Sequence, residues 1–147
     1  MNLVSTLLRV KGNEVYTVEP ETPIIKVLEL MTEKRIGAVI VLEGQTIVGV
    51  FSERDFVRKV AQNKHLSLDV PVRELMTAGV FIVSPELTID ECMALMTNQR
   101  IRHLPVLKNG QMIGLISIGD VVKLLIADKD LLINNMEKYI LGIGYGE

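Results

Sequence analysis

The chain has 147 residues, 48% of them apolar and only 4% aromatic, with a net charge of −2 and a pI near 5.7. That apolar share suits a packed aliphatic core and excludes disorder, which needs low hydrophobicity and high net charge. The near-neutral charge argues against a nucleic-acid-binding domain with its basic face.

In chain order, residues 2–9 and Val72–Met76 both read as short helical turns leading into a module, with Pro71 suited to a first helical position. Val15–Val18 is a short β-rich run matched by Val80–Val83, and Pro20 and Pro85 end these runs because proline breaks a ladder. An amphipathic helix is predicted over Ile24–Lys34, with Ile24, Val27, Leu28, Leu30 and Met31 as its apolar stripe. Its later partner carries Ile89, Cys92, Met93, Leu95 and Met96, and Thr22 and Thr88 are the candidate N-caps. Ala38–Leu42 and Leu104–Leu107 read as buried strands, followed by the turn signals Glu43-Gly44 and Asn109-Gly110. The returning strands, Ile47–Phe51 and Met112–Ile116, each run into a Ser and then a helix.

The connector over 62–69 is polar, and His65 within it is expected to be solvated. Leu131, Leu132, Met136 and Ile140 predict an added C-terminal helix, before a frayed tail at 142–147. Cys92 aligns with Val27 and reads as a small buried hydrophobe. A single cysteine excludes an intramolecular disulfide, and with two separated histidines it gives no zinc spacing, so no metal is expected. The N-terminus lacks a secretory layout and no apolar run approaches membrane-spanning length, so a soluble cytoplasmic protein is expected.

The chain is an internal repeat. Pro20 and Pro85, Met31 and Met96, Arg35 and Arg100, Gly49 and Gly114, Ser52 and Ser117, and Asp55 and Asp120 all stand 65 residues apart, and no gap is needed between Thr17 and Lys59. Two copies of this length predict a pseudo-twofold pair. The expected class is α+β (α/β), each copy running strand-helix-strand-strand-helix. Residues 1–64 form the first motif with its lead-in, 65–127 the second, and 128–147 the C-terminal helix and tail.

The repeated Ser-x-x-Asp, at 52–55 and 117–120, has a plain reading as a capping-box variant at a helix start. A strand that ends at such a turn also suits a ligand. Free amides and the helix dipole favour an anion there, and an Asp one turn in suits ribose hydroxyls. Arg35–Ala38 and Arg100–His103, between helix and strand, could supply an edge for adenine. Arg102 and His103 face small counterparts, Gly37 and Ala38, so positive side chains on one side of a cleft would meet open room on the other.

The repeated Gly-x-x-Ser-x-x-Asp endings, the Val-x-Pro starts at 18–20 and 83–85, and Arg100-Ile-Arg-His-Leu-Pro-Val106 resemble tandem cystathionine β-synthase (CBS) domains. The resemblance covers about Leu7 to Ile126. It implies a disc-like Bateman module that binds an adenosine-containing ligand such as AMP, ATP, NAD(H) or S-adenosylmethionine, and it implies frequent homodimers. Carried over by motif position, Asp120 would hold a ribose and Ser117 would lie near its phosphate, with the adenine against Tyr16, Ile36, Gly37 and Ala38. Asp55 and Ser52 would form a second site with Phe81, Ile101, Arg102 and His103. Lys11 falls where a ribose- or phosphate-contacting group is common, and Pro105 lies within the matched motif. Arg54 stands where the second motif has Gly119, so the sites should differ.

The function expected is a non-catalytic nucleotide-sensing regulatory module that acts in trans on an effector protein and changes a dimer or partner contact. The alternative is a ligand-free interaction module whose Ser-x-x-Asp motifs only cap helices. Catalysis is disfavoured: Ser117, His103 and Asp120 are hydrolase residue types, but they come without a nucleophile elbow, and no P-loop or paired carboxylates accompany them.

Overall fold

The repeat survives in three dimensions with its spacing intact. In the computed structural model, which describes residues 2–127, helix α1 (Val4–Lys11) and strand β1 (Thr17–Val18) come first. They are followed by α2 (Ile24–Lys34), β2 (Ala38–Glu43), β3 (Thr46–Ser52) and α3 (Glu53–Gln62). A 3-10 turn at Val72–Glu74 leads to α4 (Ile89–Gln99), β4 (His103–Lys108), β5 (Gln111–Ser117) and α5 (Ile118–Ala127). From α2 to α3, every boundary recurs 65 residues later. The C-terminal helix expected beyond 127 lies outside the described residues.

Both hairpins are antiparallel, with Ala38 opposite Ser52 and His103 opposite Ser117. Their bulges, between Val41 and Leu42 and between Val106 and Leu107, are equivalent. Asn109 and Gly110 both take positive φ (53° and 77°), as the two-residue turn read from Asn-Gly requires.

Three local expectations need correction. The second repeat has no counterpart of β1, because Val83 makes only an isolated parallel bridge to Val106 and Phe81 and Ile82 stay exposed. Thr22 does not cap α2: Pro23 holds the N-cap position without a side-chain bond, whereas Thr88 caps α4 in a capping box with Glu91. Pro71 is the N-cap of the 3-10 turn and not its first helical residue.

The lead-ins are exchanged between repeats. Val4, Leu7 and Leu8 of α1 are buried with Ile89, Cys92, Leu104 and Ile116 of the second repeat. Val72 and Leu75 are buried with Ile24, Val27, Val39 and Phe51 of the first. Backbone bonds fix the crossing, Val4 N–H to Leu87 C=O (2.9 Å) on one side and Ile24 N–H to Val70 C=O (2.9 Å) on the other. Eight residues are too few for a helix to hold itself in water. The apolar stripe of α1 needs a wall, and each buried aliphatic side chain contributes roughly 1.5–3 kcal/mol on leaving water. Neither repeat therefore completes its core from one continuous stretch.

Candidate functional site

Each Ser-x-x-Asp folds as a capping box. At the start of α3, Asp55 Oδ2 accepts the Ser52 N–H (2.9 Å) and Ser52 Oγ accepts the Asp55 N–H (3.3 Å). At α5, Asp120 Oδ2 accepts the Ser117 N–H (2.9 Å) and Ser117 Oγ accepts the Asp120 N–H (3.1 Å). The first helical amides are also taken, Glu53 N–H by Gly37 C=O (3.0 Å) and Ile118 N–H by Arg102 C=O (2.9 Å). The free-amide cradle expected from the sequence is therefore largely consumed. These bonds leave only the amides of Arg54 and Gly119 in the first turns.

Those bonds stay within each repeat, whereas two cavities bring parts of opposite repeats together. One cavity, of about 540 Å³, is lined by Ser52, Arg54, Asp55 and Arg58 of the first repeat and by Phe81, Ile101 and Arg102 of the second. The other, of about 440 Å³, joins Ser117 and Asp120 to Lys11, Tyr16, Ile36 and Ala38. Gly37 and His103 line both cavities. Of the residues singled out from the sequence, only Pro105 and Gly119 stand apart from these linings. Pro105 is buried in β4 opposite Leu115, and its carbonyl accepts the Val83 N–H (3.0 Å). Gly119 lies in the first turn of α5, where an added Cβ would meet only Ser117 Oγ at 3.6 Å.

The two acids differ in how much of each is already committed. Asp55 is 8% exposed, and its second oxygen accepts the Thr77 hydroxyl (2.9 Å). Asp120 is more open: its Oδ2 carries the Ser117 amide and the Lys11 ammonium (2.5 Å), so Oδ1 keeps its lone pairs for another donor. Burial works against the Asp120 charge, but the Lys11 and Ser117 hydrogen bonds outweigh it and hold the carboxyl below its ordinary value of 3.8. Lys11 also donates to the Leu115 carbonyl.

Tyr16 donates to Glu14 (2.5 Å), which keeps the phenol protonated above its usual range, and the Lys34 ammonium lies 5.5 Å from the ring centre. Burial and then Lys11 push the His103 imidazole below its ordinary 6.5, so the group between the cavities is neutral at pH 7. Sequence reasoning missed Thr77, and it reads Arg58 as a solvated helix face by default and Arg100 only as part of a segment edging the adenine. Thr77 aligns with Gly12, so the repeat gives no signal there. Arg58 looks like a solvated helix position until α3 is placed.

The profile of the CBS domain matches this chain twice, over residues 10–62 and 72–127. The chain belongs to the CBS domain family. It is 38% identical over 120 residues to the CBS domain-containing protein CBSX3, mitochondrial, of Arabidopsis thaliana, covering 78% of this chain and 58% of that protein. A CBS-domain protein of Burkholderia ambifaria has the same fold at TM-score 0.83 and 46% identity, covering 88% of this chain and 98% of that one. A Pyrobaculum aerophilum CBS domain protein, complexed with AMP, matches at TM-score 0.71 and 28% identity over 80% of this chain and 88% of that one.

Among the described residues, no helix is long and apolar enough to cross a membrane, and no group of three or more His, Cys, Asp or Glu could hold a metal ion.

Proposed function

We propose that this CBS pair is a non-catalytic regulatory module that binds adenine nucleotides in the clefts between its repeats. The observation that carries this reading is the cross-repeat make-up of each cavity. A Ser-x-x-Asp turn from one repeat faces the helix-to-strand segment of the other, with Asp120 Oδ1 open to a ribose hydroxyl. A ligand seated there touches both halves. Its binding energy then depends on their relative placement, and any difference in affinity between two placements shifts the balance toward one. The AMP complex of the Pyrobaculum relative supports the ligand class. Output through a homodimer contact or an effector protein in trans belongs to the same proposal.

The competing reading is an interaction module whose motifs only cap helices, and the saturated hydrogen bonding of Asp55 favours it for the first motif. Calorimetric titration with AMP, ATP, NAD+, NADH and S-adenosylmethionine separates the two. A saturable signal with any of the five supports the sensor, and for a ligand seated at Asp120 it should weaken in Asp120→Asn. No heat from folded protein with any of the five would leave the caps as the motifs' whole role.

A further inference from the structure

Four guanidinium groups line the larger cavity: Arg54 and Arg58, one turn apart on α3, with Arg100 and Arg102 at the end of α4 and beyond it. All four are exposed, and none is ion-paired within the described residues. Exposed arginines usually find a carboxylate or spread apart. Here they converge from two repeats on one opening, whose two acids are Glu53 and an Asp whose oxygens already serve Ser52 and Thr77.

The smaller cavity has fewer free cations. Its Lys11 ammonium is spent on Asp120 and the Leu115 carbonyl, its Lys34 lies over Tyr16, Arg35 is its single guanidinium, and Glu14 adds a negative charge. Asp120 Oδ1 stays open there, and it accepts a hydroxyl and repels phosphate.

We infer that the two cavities are sorted by phosphate charge. The Asp55 cavity takes a nucleoside di- or triphosphate, held mainly through its phosphates by the four arginines. The Asp120 cavity takes the adenosine moiety of a ligand with little or no phosphate charge, held through its ribose. This rests on the adenine-nucleotide reading and assigns a different ligand class to each of its two sites. Guanidinium suits the first role because its planar donors match phosphate oxygens in pairs, and because it stays charged at any working pH. The volumes agree in direction, about 540 Å³ against about 440 Å³.

The test is calorimetry on the full chain with ATP, adenosine and inorganic tripolyphosphate, in wild type, Arg58→Ala/Arg102→Ala and Asp120→Asn. Circular dichroism confirms folding, which the two exposed arginines do not support. Loss of two charge-assisted contacts should weaken ATP and tripolyphosphate at least ~10-fold in the arginine variant, with adenosine within about twofold. Asp120→Asn should do the opposite, and saturating adenosine should leave ATP binding in place. Competition of ATP and adenosine for one site, with both affinities falling together in either variant, would overturn the sorting. So would wild-type protein that binds neither ATP nor tripolyphosphate. Tripolyphosphate that binds as well as ATP, while adenosine gives no heat, would sink the adenine reading but leave the arginine cavity a polyphosphate site.

Discussion

Lys11, at the end of α1, reaches Asp120 in the first turn of α5, with Nζ 2.5 Å from Oδ2. The pair ties α1 to the second repeat at the mouth of a cavity, where the apolar contacts of Val4, Leu7 and Leu8 leave off. Both side chains are partly exposed (27% and 19%), so solvent screens the attraction, and Lys11→Met should cost about 1 kcal/mol. The Asp120 carboxyl is held below 3.8 in the folded chain, so its contribution is present above that pH and fades as pH falls through the lower folded value. The deficit of Lys11→Met in urea titrations should therefore be largest near pH 7 and shrink toward pH 3. A deficit that does not change with pH would mean that the lysine acts through packing of its stem alone.

Gly49 and Gly114 are equivalent in the repeat but not in what presses on them. A Cβ at Gly114 would meet Leu8 Cδ2 at 2.6 Å, and one at Gly49 would strike Met76 Sδ and lie 3.0 Å from the Thr77 carbonyl oxygen. The Thr77 backbone is pinned by two bonds to Val50 (2.8 and 3.0 Å), whereas the end of Leu8 can rotate. Overpacking of this kind costs roughly 1–3 kcal/mol. Gly49→Ala should sit at the upper end and Gly114→Ala lower, as read from thermal or urea midpoints. Gly49→Ala should also disturb the Thr77 hydroxyl on Asp55. Equal midpoints for the two variants would count against the pinned-backbone argument.

Cys92 is fully buried on α4, and burial, with Glu91 adding to it, pushes the thiol up to about 11. The reactive thiolate is therefore scarce and shielded at neutral pH. A thiol reagent should modify native protein only at the rate of opening, and should react at once in 6 M-range guanidinium, roughly the conditions that unfold even very stable domains. Fast modification of the native chain would mean that α4 opens locally.

Most of this arrangement was readable because the repeat constrains the reading twice. The helix over Ile24–Lys34 and both hairpins follow from apolar period and turn residues, and each copy checks the other. The cross-repeat groupings came from the family resemblance and not from the repeat: Tyr16, Ile36 and Ala38 share a cavity with Ser117 and Asp120, and Phe81, Ile101 and Arg102 share one with Ser52 and Asp55. The exchange of lead-ins was not readable, since no local pattern says which core will receive Leu8 or Leu75. Nor was the loss of a first strand at Val80–Val83, whose β-branched sequence matches Val15–Val18 while its pairing reduces to one bridge. The commitment of the capping amides also escaped, because Gly37 and Arg102 lend carbonyls that no side-chain pattern reports.

Arg35 and Arg100 close α2 and α4 in the left-handed conformation (φ 56° and 55°), where glycine is the usual residue. The Cβ clash there costs about 1–2 kcal/mol for a residue other than glycine, and the greater freedom of glycine in the unfolded chain offsets part of the gain. Each Arg→Gly change should therefore stabilise the fold by about 0.5–1 kcal/mol. The two changes should part company in binding. Arg35 lines the Lys11 cavity, where phosphate charge has little part, so Arg35→Gly should raise the melting temperature and leave ATP affinity within about twofold. Arg100 is one of the four guanidiniums on the larger cavity, so Arg100→Gly should raise the melting temperature while weakening ATP several-fold. A strained backbone kept at Arg100 for its charge predicts that split between stability and affinity. If Arg100→Gly melted higher with unchanged ATP affinity, the residue would be a helix terminator only, and the cavity would have to hold its phosphates with the other three.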